Sequence, residues 1–175
     1  MENNKRILIV DDQKDLCEQL SRLLLRAGKA NETLSLVQQM RAKLLGAKAE
    51  KEPEDDKDAE NQYETEVAHQ GEEAVAKIAK SLDEGNPFAL IFLDMRMPPG
   101  WDGLQTAKKI RELDKNVELV IMTAFADHDQ KQIADEVGHP HKLLYIKKPF
   151  QAEEIFQLAL SLTAKWNLEH ADIKR

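Results

Sequence analysis

The sequence predicts an α/β protein built on a doubly wound, five-stranded parallel sheet. Short apolar runs alternate along the chain with stretches of helical periodicity, which implies right-handed crossovers. Several runs are almost continuously apolar, as strands covered on both faces are. Four of the five runs lead directly into Asp, Thr or Lys, which puts polar chemistry at the carboxyl ends of strands, where such sheets gather their ligands.

The first strand is read at 7–10, Ile7-Leu8-Ile9-Val10, and stops at Asp11-Asp12. Lys5 and Arg6 before it imitate a signal-peptide start, but so short a run is neither an h-region nor a membrane span. Leu16, Leu20, Leu23 and Ala27 line one face of the first helix, with Gly28 as its stop. Cys17 falls one position off that stripe and reads as inert. As the only cysteine, it excludes an intrachain disulfide and a multi-cysteine metal site, which suits a reducing cytoplasm.

Residues 29–62 interrupt the alternation. Within 32–45, Val37, Met40 and Leu44 recur at helical spacing behind Asn31, a candidate cap. The stretch 47–61 is rich in Lys, Glu and Asp, contains Pro53, and reads as a flexible acidic linker. The second strand, 63–68, alternates more than the others and contains Glu64 and Glu66, the pattern of a sheet edge.

Val75, Ile78 and Leu82 mark the second helix, and the third strand, 88–93, leads to Asp94. Asp102 can cap the third helix, which carries Leu104, Ala107 and Ile110. The fourth strand, 119–122, leads to Thr123, and a short helix follows around Ile133 and Val137. His139-Pro140-His141 reads as loop, and the fifth strand, 143–146, leads to Lys147-Lys148-Pro149. The last helix carries Ile155, Leu158, Ala159, Leu162 and Trp166, passes Leu168, and reaches Lys174-Arg175 without a clear stop. Trp101 and Trp166 read as packing residues.

With 175 residues, 42% of them hydrophobic, the chain suffices for one domain plus an appendage. Its net charge of -7 argues against a nucleic-acid surface, because phosphate backbones attract basic stripes. The histidines show no metal-ligand spacing.

A parallel sheet would bring Asp11, Asp12, Asp94, Thr123 and Lys148 to one rim. Three carboxylates so placed repel one another unless one protonates or a cation joins them. Mg²⁺ suits the task, being hard, oxygen-seeking and prone to keep waters that a phosphate can displace. Asp94 would then be a nucleophile toward phosphorus, giving an aspartyl phosphate. A lysine supplies a mobile point charge, and a threonine hydroxyl can donate to a phosphoryl oxygen. Taken singly, each residue has a plainer reading: Asp12 a helix cap, Asp94 a turn residue, Thr123 an ordinary strand residue, Lys148 a solvated side chain. The weight lies in their joint placement.

The segments Ile9-Val10-Asp11-Asp12, Phe92-Leu93-Asp94-Met95-Arg96-Met97-Pro98, Met122-Thr123-Ala124 and Lys148-Pro149-Phe150 resemble the four signatures of response-regulator receiver domains of two-component signalling. The resemblance implies a flavodoxin-like sheet of order 2-1-3-4-5 with five helices. It makes 1–170 a receiver domain with the 29–62 insertion, and 171–175 a tail or the start of a linker to an output domain.

The resemblance also implies roles. Asp94 accepts a phosphoryl group from a sensor histidine kinase or a histidine phosphotransfer protein. Mg²⁺ is held by Asp12 directly, by Asp11 through water, by Asp94 and by the backbone carbonyl of Arg96. Lys148, rather than Lys147, matches the family lysine because Pro149 follows it. Thr123 matches the switch hydroxyl. Tyr145 matches the aromatic that changes rotamer, although it reads equally as a static, half-buried strand residue. Switching biases the face of the fourth helix, fifth strand and fifth helix toward a partner or a second copy. Such a protein is a cytoplasmic binding module rather than an enzyme on external substrates, with neither membrane nor nucleic-acid contact by this domain.

The chain departs from the family pattern in three places. The 29–62 insertion is either a tolerated surface insertion, since lengthening a loop costs little entropy, or a stretch in which Leu36, Val37, Met40 and Leu44 extend the first helix or form a second one that binds a partner. The 97–103 loop is about one residue longer than usual, stiffened by Pro and Gly. Arg96 and Phe125 flank the path of hydrolytic water, so a long-lived phosphoryl group is expected. Other classes fit less well. A pseudo-receiver lacks the acceptor, the acidic pair or the lysine. An aspartate-nucleophile phosphatase carries its nucleophile on the first strand with a second Asp two residues on, where this chain has Arg96. A flavin carrier wants a Ser/Thr/Gly-rich loop where this chain has Asp11-Asp12-Gln13.

Overall fold

The strands are β1 (Arg6–Val10), β2 (Glu64–Ala68), β3 (Leu90–Asp94), β4 (Glu118–Thr123) and β5 (Leu143–Lys147). They form one parallel sheet in the order β2-β1-β3-β4-β5, the flavodoxin-like order expected. The structure, a computed structural model, describes residues 3–25, 62–124 and 130–171. The helical 32–45 and acidic 47–61 readings therefore lie outside the described residues, as do Ala27, Gly28, Asn31, Phe125 and 172–175.

Among the described residues, five helices accompany the strands: α1 over 14–25, α2 (Gly71–Asp83), α3 (Gly103–Leu113), α4 (Gln130–Val137) and α5 (Ala152–Ala171). A 3-10 turn, Pro140–Lys142, stands where a plain loop is predicted. β2 occupies an edge, as its two glutamates imply. Tyr63, Phe88 and Ala89 are buried but precede their strands rather than opening them. Ala89 still bonds both neighbours, through its N–H to the Arg6 carbonyl and its carbonyl to the Glu118 N–H.

Strand alternation divides the core into two layers. Leu8, Val10, Ile91, Leu93, Leu119 and Ile121 face α2, α3 and α4, meeting Ala74, Ile78, Ala107, Ile110, Ile133 and Val137. Ile7, Ile9, Leu90, Phe92, Val120 and Met122 face α1 and α5, meeting Leu20, Leu24, Ile155, Ala159 and Leu162. Burying each large apolar side chain stabilises by roughly 1.5–3 kcal/mol, so both layers are needed to hold helices on both faces. The buried stripe of α1 is Cys17-Leu20-Leu24, with Leu16 and Leu23 only half-buried. Cys17 is thus a core residue and not one position off the stripe.

The rim at the amino ends of the strands carries a buried ionic network. Glu118, 0% exposed, accepts from Lys142 at 2.9 Å and from Lys165 of α5 at 3.0 Å. Lys142 also pairs with Glu169. Arg111 of α3 donates to the carbonyls of Val117 and Lys142, at 2.7 Å each. These bonds tie α3 and α5 to the starts of β4 and β5, leaving the opposite rim for the polar strand ends.

Candidate functional site

In a parallel sheet every strand delivers its last residue to the same rim, so the apolar runs that make strands also make the pocket. Asp11 follows β1 directly, and its N–H extends the ladder to the Ala68 carbonyl at 3.1 Å. Asp94 closes β3 opposite Met122 of β4, and Thr123 follows Met122. Thr123 pairs with Lys147, and the Lys148 N–H donates to the Thr123 carbonyl at 2.8 Å, which carries Lys148 up to the acidic residues.

Carboxylate oxygens of Asp11, Asp12 and Asp94 lie within 4.8 Å of one another. Lys148 Nζ bridges two of them, 2.6 Å from Asp11 Oδ2 and 2.8 Å from Asp94 Oδ1. Burial works against the charge on Lys148, but these two hydrogen bonds outweigh it and hold the ammonium above its ordinary pKa. Asp94 is 6% exposed, and burial raises its carboxyl although Lys148 pulls the other way. Desolvation makes a carboxylate a stronger nucleophile than one dissolved in water, while the lysine opposite favours the ionised form that can attack.

The loops shape the rim. The Arg96 N–H donates to Asp94 Oδ2 at 3.2 Å, so the chain after β3 turns back over the carboxylate, while the Arg96 side chain is exposed. Asp102 caps α3 as predicted, accepting from the Gln105 N–H at 2.7 Å. Gly103, first residue of α3, packs on the backbone of Asp94: an added Cβ would lie 2.5 Å from the Asp94 carbonyl oxygen. It is Asp11 rather than Asp12 that closes the turn into α1, accepting from the Gln13 N–H at 2.9 Å. This leaves the half-buried Asp12 carboxylate with the cluster rather than with a helix cap.

Tyr145 lies opposite Ile121, two residues before Thr123, and packs against the α2–α4 layer. It is half-buried, and its hydroxyl donates to the Gln130 carbonyl at 3.0 Å. Alternation along β4 sends Thr123 to that same layer. Sequence reasoning missed two neighbours of Asp11. The Cys17 thiol lies 3.3 Å from its carbonyl oxygen and His69 Nδ1 3.1 Å from the same atom. Burial first, then the charge of Asp11, push the Cys17 thiol up to about 11, so it stays protonated near neutral pH.

An all-carboxylate donor set suits a hard cation such as Mg²⁺ and disfavours softer metals. Three carboxylates and a bridging lysine thus stand together at the carboxyl rim of a 2-1-3-4-5 parallel sheet. The description "Response regulator receiver domain" matches residues 58–160, and the chain belongs to that family. The matched segment begins at residue 58, within the last residues of the 29–62 insertion. β1 and its acidic pair precede it, and β1 takes its place between β2 and β3.

Among particular relatives, Sporulation initiation phosphotransferase F of Bacillus subtilis (strain 168) is 33% identical over 93 residues, 53% of this chain and 68% of that protein. Response regulator MprA of Mycobacterium ulcerans (strain Agy99) is 30% identical over 109 residues, 62% of this chain but only 43% of that protein. A CheY-like response regulator receiver domain protein from Methanospirillum hungatei JF-1 superposes with a TM-score of 0.62. It shares 20% identity over 95% of this chain and 98% of its own, a likeness of fold. Among the described residues, no helix is long and apolar enough to cross a membrane.

Proposed function

We propose that this receiver takes a phosphoryl group from the phosphohistidine of a sensor kinase or phosphotransfer protein onto Asp94, in a reaction that needs Mg²⁺. The observation that carries this reading is the Lys148 bridge between Asp11 and Asp94, with Asp12 within 4.8 Å of both. Asp11, Asp12 and Asp94, with the Arg96 carbonyl, would hold the cation. Bound there, it offsets the charge of the incoming phosphoryl oxygens.

The protein's own groups do the rest. Asp94 Oδ attacks phosphorus as the P–N bond to histidine breaks, leaving an acyl phosphate and a neutral imidazole after protonation. Lys148 keeps its charge beside both carboxylates and can follow a phosphoryl oxygen. The Thr123 hydroxyl would donate to another. Thr123 moving toward the phosphoryl group would vacate space for Tyr145, biasing the face of α4, β5 and α5 toward a partner, an output domain or a second copy. The protein acts on no external substrate in this reading, and it works in the cytoplasm, where its donors are.

The test is incubation with Mg²⁺ and acetyl phosphate, followed by intact-mass measurement. One added phosphoryl group is expected, lost in Asp94→Asn and in excess chelator. A phosphoryl group that persists in Asp94→Asn would show that the acceptor lies elsewhere.

A further inference from the structure

Asp11 is held on every side. It is fully buried, and each of its polar atoms has a partner within the protein. The N–H donates to the Ala68 carbonyl at 3.1 Å. Oδ1 accepts from the Gln13 N–H at 2.9 Å and Oδ2 from Lys148 at 2.6 Å. Its carbonyl oxygen receives two further side chains: Cys17 Sγ at 3.3 Å and His69 Nδ1 at 3.1 Å. Cys17 comes from α1 and His69 from the loop between β2 and α2. Their polar atoms, 4.0 Å apart, converge on one oxygen from different elements.

A carbonyl oxygen only accepts, so the thiol donates its S–H and the imidazole carries a proton on Nδ1. His69 is itself fixed, since its N–H donates to Glu73 Oε2 at 2.8 Å and Glu73 pairs with Lys77 at 3.4 Å. The oxygen they grip belongs to the peptide joining Asp11 to Asp12. Because a peptide is planar, holding its carbonyl fixes the direction in which the chain leaves Asp11 and arrives at Asp12. That plane sets how the two Cα atoms, from which the carboxylates project, stand relative to one another.

We propose that Cys17 and His69 are positioning residues for cation binding, a two-donor clamp on the Asp11–Asp12 peptide that aims the acidic pair. The clamp rests on the cation site proposed above. Neither side chain need touch the cation. Groups that orient metal-binding residues in this way commonly govern affinity.

Mg²⁺ affinity measured by titration calorimetry tests the clamp, with the melting temperature of chelator-treated protein recorded alongside. His69→Ala and Cys17→Ala are each expected to weaken binding about fivefold, the size of one neutral hydrogen bond. His69→Asn and Cys17→Ser keep a donor near the same position and are expected to recover most of the loss. A merely structural role would lower the melting temperature and leave the affinity of the folded protein unchanged. If Cys17→Ala fails to fold, the pair His69→Ala and His69→Asn decides alone, because His69 is only half-buried. Wild-type binding with unaltered alanine variants, or donor-keeping variants no better than alanine, overturns the clamp alone. Wild-type protein that binds no Mg²⁺ overturns the cation site and the clamp with it.

Discussion

Gly103 rests directly on the backbone of Asp94. A Cβ at Gly103 would stand 2.5 Å from the Asp94 carbonyl oxygen and 2.7 Å from Met95 Cα, and the Gly103 N–H donates to the Met95 carbonyl at 2.9 Å. No flexible side chain can yield, because the obstacles are main-chain atoms. Gly103→Ala must therefore displace either α3 or the end of β3. A loss of about 1–3 kcal/mol in urea unfolding is expected. Slower acetyl-phosphate labelling of the folded fraction should accompany it, and an unchanged unfolding midpoint would contradict the contact.

Asp94 should pay for its placement in stability. Burial raises its carboxyl above the ordinary range, so the folded state holds that proton more tightly than the unfolded chain. The stability linked to this group is complete below the unfolded carboxyl pKa and is lost as pH rises through the raised folded value. Asp94→Asn, measured in chelator, is expected to melt higher than wild type at neutral pH. That advantage should shrink to nothing as pH falls through the ordinary carboxylate range.

Divalent cation should stabilise the fold by mass action. At a hundredfold excess of Mg²⁺ over its dissociation constant, the expected gain is about 2.7 kcal/mol. Thermal melts across a Mg²⁺ series read it directly. Asp12→Asn should move the required concentration upward while leaving the chelator-treated melt nearly unchanged, since Asp12 is only half-buried.

At the other rim, Glu118 is buried between two ammonium groups. Glu118→Ala leaves Lys142 with the more exposed Glu169 as its remaining carboxylate partner. Removing one member of a buried ion pair typically costs about 3–5 kcal/mol, because the other charge stays desolvated. Chemical denaturation measures the loss. Recovery on adding Lys142→Met would identify the stranded charge as the cause.

Glu169 gives the network a pH dependence. The hydrogen bond from Lys142 holds its carboxyl below the usual value. A depressed folded pKa means the stabilisation is present above the unfolded carboxyl pKa and disappears as pH falls through the folded one. Wild type should exceed Glu169→Gln by about 1 kcal/mol at neutral pH, a modest figure because Glu169 is partly solvated. The two should converge in acid.

Much of this was readable beforehand because strand chemistry is local. Continuous apolar runs fix strands, and a parallel sheet turns the residue after each strand into a neighbour of the others. Asp11, Asp12, Asp94 and Lys148 were legible for that reason. The Glu118–Lys142 pair was not: no local pattern sets either residue apart from an ordinary surface charge, and only the β4–β5 register, with Leu119 opposite Leu143, brings them together. Cys17 fell on the wrong side of the helix for a related reason. Leu16-Leu20-Leu23 and Cys17-Leu20-Leu24 both fit a helical period, and only the direction of the sheet selects between them. His69 lay beyond reach, since its contact with Asp11 depends on β2 lying beside β1.

The Lys148 bridge has a consequence for ionic selectivity. With all three rim carboxylates ionised, one ammonium leaves an excess of two negative charges. A doubly charged ion brings the cluster to electroneutrality, whereas potassium or sodium leaves it anionic and a trivalent ion overshoots. In the proposed cation site the lysine would thus tune the valence the rim favours, and substituting it would shift that preference toward higher charge.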